Sequence, residues 1–101
     1  MKIKNLVCAD CGSNDCELMV HGQNDDCIWF NKDRIITYVD TKHVKIGDSI
    51  HLYKNYIVEM ERFIGACKVC EDEVCMDIEF EDGTITYAGY GSEAIKKLLE
   101  E

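Results

Sequence analysis

Six of the seven cysteines in this 101-residue chain fall into two triplets with the same spacing, C-x2-C-x4-C, beginning at Cys8 and at Cys67. Two residues between cysteines allow one tight turn to direct both thiolate sulfurs at a metal ion, with backbone N–H groups pointing toward them. Two such turns supply four sulfurs, which is a tetrahedral ligand set that Zn2+ accepts. The sequence therefore predicts one zinc site formed by Cys8, Cys11, Cys67 and Cys70.

The remaining cysteines allow other interpretations. Cys16 and Cys75 end the two triplets, Cys27 stands outside both, and His21 is a further candidate ligand near Cys16. In an alternative division, the four N-terminal cysteines bind one ion, and the three C-terminal cysteines bind a second together with a histidine. Disulfides, a dithiol redox pair and inert buried thiols are also possible, but an odd cysteine count and the absence of a helical pattern after either C-x-x-C weigh against disulfide or redox chemistry.

The segment Cys8–Ser13, with the sequence Cys-Ala-Asp-Cys-Gly-Ser, resembles the first knuckle of zinc-ribbon proteins. Gly12 stands directly after the second cysteine, where a left-handed backbone is often needed. The second pair, Cys67 and Cys70, is followed by Glu71 instead. The resemblance implies a zinc site and no particular activity.

Acidic residues dominate the charge of the chain, with twenty against eleven basic ones and a net charge of -9. Such a balance repels nucleic-acid phosphates, so we expect no direct nucleic-acid binding, although zinc ribbons often bind nucleic acid. The sequence has neither a signal-peptide pattern nor an apolar run long enough to span a membrane. We therefore expect a cytoplasmic protein, in which reduced thiols are available as ligands.

The apolar pattern predicts a mainly β fold of the α+β class, with residues 1–101 forming a single zinc-binding domain. We expect a small zinc-stabilised antiparallel sheet or barrel with a short C-terminal helix capped by Ser92. Residues 27–30 and 35–39 read as a hairpin with Trp29 in the core. A strand over 49–53 is predicted to pair with one that runs from about 56 to 64.

After the second triplet, apolar residues alternate with acidic ones from Met76 to Glu81, which is typical of a half-buried strand. Asp82-Gly83 is predicted to form a two-residue hairpin turn before the returning strand at 84–88. The resulting register places four apolar side chains on or near the core: Ile78, Phe80, Ile85 and Tyr87. It exposes Asp77 and Glu79.

The sequence favours a small protein-interaction module with structural zinc, and its negative charge favours a basic protein partner. Asp77, Glu79 and Glu81 are the candidate partner-binding residues. Their spacing of about 6.6 Å along a strand is close to that of phosphates, so an inhibitor or decoy that mimics nucleic acid, of the type used by phage and mobile elements, is the alternative. A small metal-dependent enzyme is a third possibility, which the absence of recognisable catalytic motifs around the histidines makes less favoured.

Overall fold

Strands carry most of the regular structure in the computed structural model, which describes residues 2–22, 25–60, 62–89 and 93–100 and only the backbone of Glu93. The described strands are β1 Ile3–Cys8, β2 Cys16–His21, β3 Cys27–Phe30, β4 Ile36–Asp40, β5 Arg62–Cys67, β6 Asp72–Val74, β7 Met76–Phe80 and β8 Ile85–Ala88. A 3-10 helix at Ile50–Tyr53 leads into the single-turn helix α1 at Lys54–Ile57, and α2 spans Glu93–Leu99.

The described strands form two antiparallel sheets. The small sheet has the order β1-β7-β8, and the large sheet has the order β4-β3-β2-β5-β6. The predicted mainly β fold with a short C-terminal helix is confirmed, but the strands divide into two sheets, and in the described part of the chain neither closes into a barrel. The predicted cap Ser92 lies outside the described residues.

The inner faces of the two sheets share one hydrophobic core. Alternation along each strand sends every second side chain inward, so Ile28 and Phe30 of β3 and Ile78 and Phe80 of β7 are buried. The Phe30 ring stacks parallel to that of Phe63 from β5, with the centroids 6.2 Å apart. Helix α2 adds three buried apolar side chains: Ile95, Leu98 and Leu99. Each fully buried side chain of this size stabilises the fold by about 1.5 to 3 kcal/mol.

Each cysteine triplet carries the chain from one sheet to the other. The first leaves the small sheet at Cys8, where β1 ends, and enters the large sheet at Cys16, where β2 begins. The second leaves β5 at Cys67, passes through the short β6 and crosses back at Cys75 into β7. The repeated spacing therefore belongs to two opposite crossings between the same pair of sheets.

The prediction of two strands across residues 49–64 is wrong in its first part. Residues 50–57 are helical, and only Arg62–Cys67 joins the sheet. The Ser49 hydroxyl accepts a hydrogen bond from the His51 backbone N–H at 3.3 Å, as at the start of a helix. Ile50 and Ile57 are fully buried, so core packing favours a helical turn here over the high β-propensity of these residues.

The predicted register of the β7–β8 hairpin is also wrong, by one residue. The Phe80 N–H donates to the Thr84 carbonyl at 2.9 Å, so the loop has three residues and not two. Gly83 takes its left-handed position, with φ of 89°. A one-residue shift moves every side chain of the shifted strand, here β8, to the other face of the sheet. Ile85 and Tyr87 therefore point outward, with 62% and 58% of their surface exposed.

Trp29 is not part of the core. It lies between the buried residues Ile28 and Phe30 on β3, so its side chain is on the outer face of the large sheet. There it is half-buried and meets the Tyr38 ring edge-on, with the centroids 6.0 Å apart. Met19 and Ile64, its neighbours on this outer face, are buried even though they lie outside the shared core.

None of the described helices has both the length and the hydropathy of a transmembrane helix.

Candidate metal centre

Four cysteine sulfurs meet where the two sheets join. They come from two turns, here called the first knuckle (Cys8–Ser13) and the second knuckle (Cys67–Glu71). The Sγ atoms of Cys8, Cys11, Cys67 and Cys70 all lie within 4.8 Å of one another. This is the primary ligand set that the spacing predicts. Cys8 and Cys67 are buried at the ends of β1 and β5, and Cys11 and Cys70 lie at the surface. The knuckles themselves supply the two outer ligands.

The sulfur positions fit one tetrahedral ion. Zinc–sulfur bonds of about 2.3 Å place the sulfurs of a regular tetrahedron about 3.8 Å apart. The two contacts that join the knuckles are close to this value: 3.9 Å between the sulfurs of Cys8 and Cys70, and 3.6 Å between those of Cys11 and Cys67. A disulfide requires about 2.05 Å, and all seven cysteines are free thiols. The arrangement suits a metal ion and not a pair of disulfides.

The first knuckle is held by its own backbone. The Gly12 N–H donates to the Cys8 carbonyl at 2.9 Å, and the Cys8 N–H donates to the Ser13 carbonyl at 2.9 Å. Gly12 has a φ of 75°, the left-handed conformation that its position in the motif predicts. This tight turn brings Cys11 back over Cys8.

In the second knuckle, backbone N–H groups stabilise a thiolate. The Cys70 N–H donates to the Cys67 sulfur at 3.3 Å. This bond, with a second from the Val69 N–H, lowers the pKa of Cys67 to about 6 despite burial. Metal ligation by cysteine requires the thiolate. Cys67 is therefore prepared for ligation by the backbone of its own turn.

Cys16 lies beside the four-cysteine cluster without belonging to it. It pairs directly across the strands with Cys67, and its thiol donates to the Ser13 carbonyl at 3.5 Å. Burial, with the neighbouring Cys67 second, raises the pKa of Cys16 to about 12. In the part of the chain that the structure describes, the Cys16 sulfur is not in the group of four that surrounds the candidate ion, so Cys16 supports the knuckles without joining the ligand set.

The other secondary candidates lie elsewhere. Cys27 and His21 face each other at the far end of β2 from Cys16, which places them about 16 Å along the strand from Cys16 at 3.3 Å per residue. Cys27 accepts a hydrogen bond from the Trp29 indole N–H at 3.0 Å. The alternative division, with Cys16 and Cys27 on the same ion, is therefore wrong because the length of β2 separates these residues.

Cys75 lies at the second crossing and interacts with the small sheet. Its carbonyl accepts a hydrogen bond from the Ala9 N–H at 3.0 Å, which links the crossing to the first knuckle. Hydrogen bonding to the Cys75 side chain raises the pKa of Tyr87. Among the described residues, Cys75 is not in the group of sulfurs that surrounds the candidate ion.

The three candidate partner-binding acids are placed differently from one another. Asp77 and Glu79 are half-buried on the outer face of β7, where the Glu79 carboxylate accepts a hydrogen bond from the Asn5 amide at 3.2 Å. Glu81 is exposed in the hairpin loop after the strand ends. It borders a hollow shared with Lys2 and Lys4. The three acids therefore do not form the predicted row of exposed carboxylates along one strand.

An ion pair and a groove near the candidate metal centre are absent from the sequence predictions. Lys68, inside the second knuckle, forms an ion pair with Glu17 of β2 at 3.1 Å, and its N–H donates to the Asp15 carbonyl at 3.1 Å. A groove between Trp29 and the second knuckle also adjoins Cys67. Trp29 is separated from the knuckle by about forty residues in the sequence and meets it only through the strand order, so no local pattern could reveal this groove.

Comparison of the chain with protein-family models, with curated proteins and with solved structures found no match.

Proposed function

We propose that the protein is a small interaction module in which one structural Zn2+ ion holds two β-sheets together. The observation that supports this proposal is the convergence of four cysteine sulfurs within 4.8 Å at the two crossings between the sheets. Zinc is the ion we assign because four thiolates in a tetrahedral set suit it and exclude the hard ions that prefer oxygen.

A structural role follows from the ligand count. Four protein ligands complete the coordination of a tetrahedral ion and leave no position for a water molecule or substrate, whereas catalytic zinc sites keep one position open. The fifth sulfur nearby, that of Cys16, lies outside this group of four among the described residues. The ion therefore contributes folding energy, because its four ligands come together only in the native state.

We propose the outer face of the small sheet as the partner-binding surface. Asp77 lies directly opposite Tyr87, and Glu79 lies directly opposite Ile85, so each carboxylate has an exposed apolar neighbour. Aromatic residues are enriched in protein interfaces, and an acidic surface speeds encounter with a basic partner. This surface therefore suits a protein partner with apolar side chains surrounded by lysine or arginine.

The same surface weakens the nucleic-acid-decoy alternative. A mimic of a phosphate chain needs evenly spaced, exposed anions, whereas Asp77 and Glu79 are half-buried and Glu81 lies beside lysines. Ile85 and Tyr87 have no counterpart in a phosphate backbone. A partner that recognises this surface would use the apolar groups as well as the charges.

A pull-down from the native host tests the surface. The bait carries Asp77, Glu79 and Glu81 changed to Ser, and the matched control carries the same change at three exposed acids elsewhere: Asp40, Glu59 and Glu100. We expect the first triple variant to lose the partner and the second to keep it. Retention of the partner by both variants contradicts the proposed surface.

A second pair of variants separates the module from the decoy. Ile85→Ala and Tyr87→Ala remove exposed apolar groups without changing charge. An interface that buries them should weaken by at least about fivefold for one of the two, because anchors of this kind exceed 1 kcal/mol on truncation. A nucleic-acid-binding partner that is retained by both variants and released by the acidic triple variant would favour the decoy.

A further inference from the structure

A groove of about 430 Å³ runs along the outer face of the large sheet beside the second knuckle. Trp29 and Ala66 contribute its apolar surfaces, Lys68 also lines it, and so do three consecutive acids at the turn into β6: Glu71, Asp72 and Glu73. This volume is within the range of ligand pockets. The groove lies on the other sheet from the Asp77 and Glu79 surface.

The charges in the groove are not balanced internally. Lys68 is paired with Glu17, and Glu73 is paired with Arg62 at 2.7 Å. Glu71 and Asp72 have no ion-pair partner among the residues that the structure describes. The groove therefore combines an aromatic residue with two carboxylates that no described cation neutralises, in a protein whose net charge is -9. The Asp72 carboxylate also accepts a hydrogen bond from the Glu73 N–H at 2.8 Å.

Trp29 is held in place where it borders the groove. Its indole N–H donates to the Cys27 sulfur at 3.0 Å, and the Tyr38 ring packs against it edge-on. A fixed aromatic side chain binds a flat ligand at a low entropic cost. Arginine has a planar guanidinium that stacks on tryptophan and forms paired hydrogen bonds to carboxylates, which a lysine ammonium cannot do.

We propose that this groove binds an arginine side chain of a basic peptide segment, with the guanidinium against Trp29 and its charge directed toward Glu71 and Asp72. This inference is independent of the proposed small-sheet surface. It assigns the acidic outer end of the second knuckle a binding role in addition to its metal ligands.

Trp29 is the only tryptophan in the sequence, so its fluorescence reports on the groove directly. The zinc-loaded protein is titrated with a short, acetylated and amidated peptide with one central arginine between glycines. Matched peptides carry citrulline, a neutral analogue of nearly the same shape, or lysine. We expect a saturable fluorescence change with the arginine peptide, weaker binding of the lysine peptide, and no saturable change with the citrulline peptide.

Variants of the two exposed carboxylates, Glu71 and Asp72, test whether charge contributes to binding. Glu71→Gln combined with Asp72→Asn should weaken arginine-peptide binding by at least about threefold, because each exposed charge pair contributes modestly. Glu59→Gln, which removes an exposed acid near the opposite end of β5, should leave binding unchanged. Zinc content measured for each variant establishes that the knuckle is intact.

Citrulline binding equal to that of arginine, or an unchanged affinity in the double variant, would overturn the charge recognition. Lysine binding equal to or tighter than that of arginine would overturn the guanidinium assignment. The titration uses synthetic peptides and groove variants only, so its failure is distinguishable from failure of the pull-down on the small sheet.

Discussion

The two cysteine knuckles have the same spacing, and both place a left-handed residue directly after the second cysteine, but the residue type at that position differs. In the first knuckle, the residue after the second cysteine is Gly12, with φ of 75°. In the second knuckle it is Glu71, with φ of 56°. Both residues are left-handed, although only glycine adopts that conformation without a steric cost. The left-handed position, and not the residue type, is what the two knuckles share.

The second knuckle has a conformational cost that the first does not have. A residue other than glycine in the left-handed conformation lowers the stability of the fold by about 1 to 2 kcal/mol. Glu71 is such a residue. The hydrogen bond from the Cys70 N–H to the Cys67 sulfur and the two ligands of the second knuckle depend on the same turn. Metal ligation can offset such a cost because its free energy is much larger.

The largest expected effect is the loss of a ligand from either knuckle. Cys8→Ser and Cys67→Ser should each abolish stoichiometric zinc binding and lower the Tm by more than about 15 °C, because each removes one of four ligands from a shared ion. The two variants should be similar in severity. Cys27→Ser is the control. It should keep its full zinc content because Cys27 is not in the four-cysteine group, and a serine oxygen can also accept the Trp29 hydrogen bond. Zinc retained by only one of the two ligand variants would break the symmetry of the knuckles.

A smaller effect is expected at Gly12. A β-carbon at this position would meet no atom within 4 Å, so Gly12→Ala carries only the conformational cost of positive φ. Urea unfolding of the zinc-loaded protein should show a loss of about 1 to 2 kcal/mol. Gly12→Asn should lose less, since asparagine tolerates this region. A neutral Gly12→Ala would mean that the knuckle does not require a left-handed residue.

The opposite sign is expected at Glu71. Glu71→Gly should stabilise the protein by about 0.5 to 1 kcal/mol, since removing the steric cost exceeds the added entropy of glycine in the unfolded chain. Glu71→Ala keeps the β-carbon and should show no such gain. Urea unfolding of both variants decides the matter. Destabilisation by Glu71→Gly would contradict the account of a costly backbone in the second knuckle.

The smallest effects are expected at the cysteines that end the triplets. Cys16→Ser and Cys75→Ser should each keep one equivalent of zinc and change the unfolding free energy by no more than about 0.5 kcal/mol, because both side chains are only half-buried and neither sulfur is in the candidate ligand group. Zinc content and urea unfolding measure both. Zinc loss in the Cys16 variant would show that the ion uses a fifth sulfur and that the knuckles are not equivalent.

The cluster of four cysteines is predictable from the sequence because the geometry of a C-x-x-C turn is local. The face that each β8 side chain occupies is not, because it depends on whether the turn at Gly83 has two or three residues, and a one-residue change moves every β8 side chain to the other face of the sheet. The strand predicted over residues 49–53 is wrong because the local pattern fits two structures. Their isoleucines and tyrosines favour strands, but Ile50, Tyr53 and Ile57 also have helical spacing, and Ser49 provides the helix start.

Long-range features were beyond prediction from the sequence. The division into two sheets depends on which strands pair, and alternation within each strand does not specify its neighbours. The groove beside Trp29 depends on β3 and β6 lying in one sheet with β2 and β5 between them. Its acids are adjacent in sequence, but the aromatic side chain that makes the groove distinctive comes from a distant segment.

The most direct test of the account is the metal content and sulfur coordination of the native protein. Native mass spectrometry combined with X-ray absorption at the metal edge measures both on one sample. The account predicts one zinc ion per chain with four sulfur neighbours at about 2.3 Å. Two ions per chain, iron in place of zinc, a nitrogen or oxygen neighbour, or less than about half an equivalent of metal with freely reactive thiols would contradict it.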